Sequence, residues 1–200
     1  GTVSNQYLHD LYRFFKLSVR RHEFRDIFKE KLDLHHIPAL NNVLYNEYIL
    51  FPIADFYLKK ERWNEAIEVY EEMETIGALK GRGAEYYQKL GYALQKNKKY
   101  AEAIDAYLKA DTLKPDNIWN NRHLAICYRL NRNYQAALSY YKKVEEATPE
   151  STNVIFHIGS CLAELGQYEE AANYFFKLDF IESNCIKAWR GIGWCSFISR

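Results

Sequence analysis

Apolar and polar positions along this chain recur in two nested rhythms. Over short stretches, apolar residues fall three or four apart, as in Leu90 and Leu94 or Ala103, Tyr107 and Ala110, the spacing of one face of an amphipathic helix. Over longer stretches the same columns return every 34 residues. Residues 84–117 carry Tyr87, Leu90-Gly91, Leu94, Tyr100, Ala103, Tyr107, Ala110 and Pro115. The next copy carries Leu124-Ala125, Tyr128, Tyr134, Ala137, Tyr141, Val144 and Pro149. The third carries Ile158-Gly159, Leu162, Tyr168, Ala171, Phe175 and Leu178, with Ser183 in the proline column, and a fourth opens on Trp189 and Ile192-Gly193. From Trp63 onward, helices are therefore expected to alternate about every seventeen residues.

A fixed period of this length describes a solenoid of helix pairs, in which neither helix buries its apolar face alone and stacking buries a continuous core. Gly or Ala at 91, 125, 159 and 193 lets one helix approach its partner closely. Ala103, Ala137 and Ala171 do the same from the second helix, and Tyr107, Tyr141 and Phe175 fill the space beside them. Pro115 and Pro149 end the second helices, since proline lacks an N–H and clashes with the preceding turn. Asn97, Asn131 and Gly166 are expected at the tight turn within each pair, as residues that tolerate left-handed or Asx geometry.

These columns, in this order and period, resemble the tetratricopeptide-repeat (TPR) family. The resemblance implies an all-α fold, a right-handed α-α superhelix of antiparallel helix pairs. Residues 84–117, 118–151 and 152–185 are expected as full repeats, 47–83 as a divergent one, and 186–200 as the first helix of a truncated one. In the divergent unit Ala54, Tyr57, Trp63, Ala66, Tyr70 and Met73 hold the columns, and Gly81 to Gly83 are three extra residues. Residues 1–46 are expected to be N-terminal helices, with Phe24 and Ile27 in the columns of a degenerate repeat and Lys31 where an aromatic belongs. Pro52 is expected to kink or split the helix around it.

Composition narrows the function. The chain has 200 residues, 48% of them hydrophobic, enough for a real core. Its 27 basic and 26 acidic residues nearly balance, which argues against a general nucleic-acid binder. There is no run of eighteen apolar residues to span a membrane and no signal peptide at the start, so the expected compartment is the cytoplasm. At the other end, Trp189, Ile192, Trp194 and Phe197 would leave apolar surface uncovered, which suggests either further repeats or self-association through that helix.

Candidate chemistry is sparse. Cys127, Cys161 and Cys195 stand 34 apart in a column that Ala93 shares, so they read as small buried residues, and Cys185 is isolated. His123 and His157 share another column, too far apart along the solenoid for one zinc ion. Phosphate loops, nucleophile elbows and metalloprotease motifs are missing. Glu71-Glu72, Glu145-Glu146 and Glu169-Glu170 read as solvated charge on second helices. No enzyme, cofactor or metal is expected.

What remains is the groove. The resemblance implies that first helices line the concave face, through Gln88, Tyr92 and Gln95, then Trp119, Arg122, Ile126 and Arg129, then Asn153, Phe156 and Ser160, and finally Lys187 and Arg190. Glu85, Ala163 and Trp194 fall in the same columns. Such a set suits a peptide or protein partner bearing carboxylates, with Arg giving bidentate contacts and Trp a flat anchor. The carboxylate clamp that some relatives use for heat-shock chaperone tails is not reproduced. Its columns hold Gln88, Tyr92, His123, Asn153 and His157, or Arg122, Ile126, His157, Lys187 and Gly191. The function expected is a non-catalytic interaction module. The alternative is the recognition arm of a larger enzyme or signalling protein. Single-stranded RNA stacking on Tyr92, Trp119 and Phe156 is a third reading, which the balanced charge opposes.

Overall fold

A computed structural model describes residues 6, 47–77 and 81–199. The expectations for residues 1–46 otherwise lie outside the described residues. Among those described, helix follows helix without a strand: α1 Glu47–Lys59, α2 Trp63–Thr75, α3 Gly83–Lys96, α4 Tyr100–Leu113, α5 Ile118–Leu130, α6 Tyr134–Ala147, α7 Thr152–Glu164, α8 Tyr168–Ile181 and α9 Ile186–Ile198. Each helix packs on the next in order, so the chain is an all-α solenoid of antiparallel pairs.

The columns explain why the pairs close. Tyr70, Tyr107 and Tyr141 are fully buried, as are Ala66, Ala103, Ala137 and Ala171. Each large ring is worth roughly 1.5–3 kcal/mol on burial. The rings need the small residues opposite them. A Cβ on Gly91 would stand 2.9 Å from the Tyr107 ring, and one on Gly159 would stand 2.9 Å from Phe175. Gly193 departs from this pattern, since a Cβ there would meet nothing within 4 Å. Its column is small, but among the described residues no ring is set against it.

Two further local expectations need correction. The left-handed residues inside the pairs are Glu61, Lys98, Arg132 and Gly166, at φ between 57° and 77°. Asn97 and Asn131 precede them as helix caps in the ordinary right-handed region, at φ −79° and −86°. Pro52 lies inside α1 without splitting it. Its ring faces solvent, while Leu50, Phe51, Ala54 and Tyr57 around it are buried and hold the helix across the one missing hydrogen bond.

Beyond successive neighbours, the closest helix pairs are α3 with α5 and α7 with α9. Both pairs join first helices, so first helices crowd together on the inner side of the curve. That is the side on which the predicted partner-binding residues are carried.

Candidate partner-binding groove

On the inner side the repeat builds the same layer four times. A ring from a second helix lies between a residue of its own repeat's first helix and a residue of the next repeat's first helix. The side chains around the ring change, and in the first layer the first-helix residue, Asp55, comes from the column of Tyr92 and not that of Gln95.

In the first layer the ring is Tyr70 of α2. Lys89 of α3 reaches both oxygens of Asp55 in α1, at 2.7 and 2.9 Å, and Tyr70 Oη donates to Asp55 at 3.4 Å. In the second layer Tyr107 Oη donates to Gln95 Oε1 at 2.9 Å, and His123 Nδ1 meets the same oxygen at 2.8 Å. An oxygen that accepts from both fixes Nδ1 as the protonated nitrogen. The imidazole stacks on Tyr107 with centroids 5.7 Å apart, and Trp119 lies 4.0 Å from it. Tyr92 closes the cluster, 5.6 Å from His123 and 6.2 Å from Trp119.

The third layer repeats this with Tyr141 stacked on His157 at 5.5 Å and Arg129 Nε donating to Tyr141 Oη at 3.4 Å. Burial lowers both histidines from the usual 6.5 to about 4, with Arg122 and Lys96 adding to the effect at His123, and Arg129 and Lys187 at His157. At neutral pH both imidazoles are uncharged ring spacers, and neither offers a cation to a carboxylate.

The fourth layer lacks the filling side chains, and the α9 backbone lies directly on the ring. Its ring is Phe175, and the residues that flanked the earlier rings become Ala163 and Gly191. Gly191 sits so close that a Cβ there would come within 2.6 Å of the Phe175 ring. A cleft of about 410 Å³ results, lined by Phe156, Ser160, Ala163, Phe175 and Gly191, with Trp194, Lys187, Arg190 and Glu164 at its edges. A second hollow of about 430 Å³ adjoins it, where Asn153 and His157 meet Phe156 and Lys187.

The predicted residues therefore separate into groups. Tyr92, Gln95 and Trp119 belong to the filled second layer. Gln88 is half-buried, with Nε2 unpaired among the described residues. Arg122 is exposed, Ile126 half-buried, and Arg129 lies on Tyr141. Asn153, Phe156, Ser160, Lys187 and Arg190 gather around the two hollows. Ser160 Oγ donates to the carbonyl of Phe156 at 2.8 Å, which leaves it little hydrogen to offer a partner. From the sequence, His123 and His157 are weighed as metal ligands and as clamp positions and rejected as both, and their place as ring spacers is missed. Their shared column opposite Tyr107 and Tyr141 is the signal that could have found them.

Charge is unevenly matched. Arg62, Arg82, Lys89, Lys99, Lys109 and Lys177 each reach a carboxylate. Among the described residues, Arg122, Arg129, Lys187 and Arg190 form no such pair. Glu85 is tied to Arg82 and Lys89. Glu145 corrects an expectation, because it is not solvated charge: it takes hydrogen bonds from Tyr174 at 3.0 Å and Lys177 at 2.7 Å and is largely covered. All four cysteines are free and buried, and burial pushes Cys127 up to about 12 and Cys161 to about 11. Among the described residues, no group of His, Cys, Asp or Glu converges on a metal position, and no helix is long and apolar enough to cross a membrane.

Comparison with known proteins follows the same columns. Tetratricopeptide-repeat family models match residues 84–117 and 50–77. A model described as anaphase-promoting complex, cyclosome, subunit 3 matches residues 112–178. Among solved structures, MamA from Desulfovibrio magneticus RS-1 superposes with a TM-score of 0.68 at 18% identity, over 76% of this chain and 85% of its own. MamA AMB-1 gives 0.66 at 22% identity, over 76% and 82%. The first TPR of Spaghetti (RPAP3), bound to the HSP90 peptide SRMEEVD, gives 0.53 at 23%, over 59% of this chain and 94% of its own. At these identities the likeness is one of fold. A search of curated protein sequences found no match.

Proposed function

The chain belongs to the tetratricopeptide-repeat family, and from that premise we propose that it is a non-catalytic interaction module holding a peptide or protein partner against its first helices. One observation carries the reading. Arg122, Arg129, Lys187 and Arg190 stand on first helices without carboxylate partners among the described residues, interleaved with the rings of Trp119 and Phe156. The first helix α3, by contrast, ties its Lys89 to Asp55 and Glu85. A surface that leaves its positive charge unpaired beside flat apolar groups suits a partner segment bearing carboxylates.

Capture from native lysate with this chain, beside an Arg122→Glu, Arg129→Glu variant, tests the reading. A partner retained by the first and lost by the second, and binding the purified chain with an affinity that falls as salt rises, supports the groove. Capture that ignores the reversal places binding on another surface. A second mode of association has its own motive: Ile186, Trp189 and Phe197 of α9 are 72%, 56% and 75% exposed. Self-association through α9 is proposed on that ground.

A further inference from the structure

Resting on the groove reading above, we infer that the cleft among α7, α8 and α9 is the groove's anchor pocket, which takes one large apolar or aromatic side chain of a partner peptide with a carboxylate beside it. The chain supplies its own comparison. Four layers share one backbone plan, and in three of them the space over the ring is filled. Lys89 with Asp55 fills the first, His123 with Gln95 the second, and His157 with Arg129 the third. In the fourth, the columns that hold His123 and Gln95 in the second and His157 and Arg129 in the third hold Gly191 and Ala163, and the ring itself has lost the hydroxyl that Tyr107 and Tyr141 carry. The layer that loses its filling side chains also loses its polar tip, so the floor of the cleft is a phenylalanine ring against a bare backbone.

The volume of about 410 Å³ is in the range of ligand pockets, roughly 300–1,000 Å³. Trp194, 58% exposed, stands at one edge as a ring that an entering side chain would cover. Charge at the rim gives the ligand a direction. Lys187 Nζ lies over the Phe156 ring at 5.7 Å, and Arg190 stands on the same helix, both without a carboxylate partner among the described residues. Among the described residues, Glu164 is the one acid lining the cleft, and it lies on α7. The partner's carboxylate is therefore drawn to the α9 rim and away from the C-terminal end of α7.

A fluorescein-labelled positional-scanning hexapeptide library, read by anisotropy on the full chain, tests this. Pools with Phe, Trp or Leu fixed next to Asp or Glu are expected to bind best. A Ser160→Ile, Ala163→Gln variant places in the fourth layer the residues that Ile126 and Gln95 supply to earlier ones. The fold already accepts those residues at equivalent positions, and a melting curve checks that it does so here. This variant should weaken the selected peptide about tenfold or more and erase the apolar preference. Lys187→Glu with Arg190→Glu should erase the acidic preference instead.

Binding of acidic pools with no apolar preference, unchanged by the filled cleft, overturns the anchor pocket and leaves the groove standing. Absence of any binding that depends on Arg122, Arg129, Lys187 or Arg190 overturns both. A dimer that dissolves when the cleft is filled, or displacement of the selected peptide by an RNA oligonucleotide, assigns the pocket to another occupant and overturns the inference.

Discussion

A single column can serve the fold in one repeat and shape the binding surface in the next. Lys89, His123, His157 and Gly191 occupy one column and give an ion pair, two stacked imidazoles and a backbone laid directly on a ring. The histidines have a measurable consequence. Their pKa values fall from 6.5 in the unfolded chain to about 4 in the folded one. The unfolded state therefore binds more protons between these values, so stability is complete above about 6.5 and declines as pH falls toward 4. From 4.5 downward Glu85 adds a second loss, since its hydrogen bond from Lys89 lowers its pKa and protonation removes that advantage. Thermal melts across pH should show the first decline, and a His123→Gln, His157→Gln chain should flatten it between pH 6.5 and about 5 even if its melting temperature is lower throughout. A wild-type melting temperature constant over that range would contradict the burial of both rings.

At the scale of the element, the turn within each pair sets the geometry. It forces one residue into the left-handed region, where an ordinary side chain costs about 1–2 kcal/mol. Gly166 meets this demand without strain, whereas Lys98 and Arg132 meet it with side chains. Arg132→Gly should therefore stabilise the protein, by about 0.5–1 kcal/mol once glycine's extra unfolded-state freedom is subtracted. Gly166→Ala should destabilise it by a similar amount, and urea midpoints measured on both variants check the pair. The turns also show what was legible in the sequence. Helix existence, pairing and the buried columns were, because the close approach of two helices leaves few residue choices. The left-handed position was not, because lysine and arginine give no local signal there, while the asparagines just before them do. The groove was legible as a set of columns. Its one unfilled layer was not, since the absence of a side chain at Gly191 and Ala163 means little until Phe175 is seen lying beneath them.

For the whole molecule, two surfaces compete to explain association, and their physics differs. The inner side carries cations unpaired among the described residues, so binding there should weaken as salt screens them. On α9, the last described helix, Phe197 is 75% exposed and Ile186 72%, and α8 exposes Phe176 and Phe180 at 56% and 89%. If these large apolar side chains form one patch, it would suit the self-association proposed for α9. Gly193 leaves room for a ring of the kind that Tyr107 and Phe175 set against Gly91 and Gly159. Sedimentation equilibrium across a concentration series should therefore reveal self-association, and Ile186→Glu with Phe197→Glu should abolish it without touching the residues that line the α7–α9 cleft. Because the driving force is apolar burial, this association should persist in salt and strengthen in sulfate, the reverse of peptide binding in the groove. A monomer at every concentration would leave the α9 face to some other partner. A dimer that salt dissolves would move the contact to the cationic inner side and put it in competition with the groove.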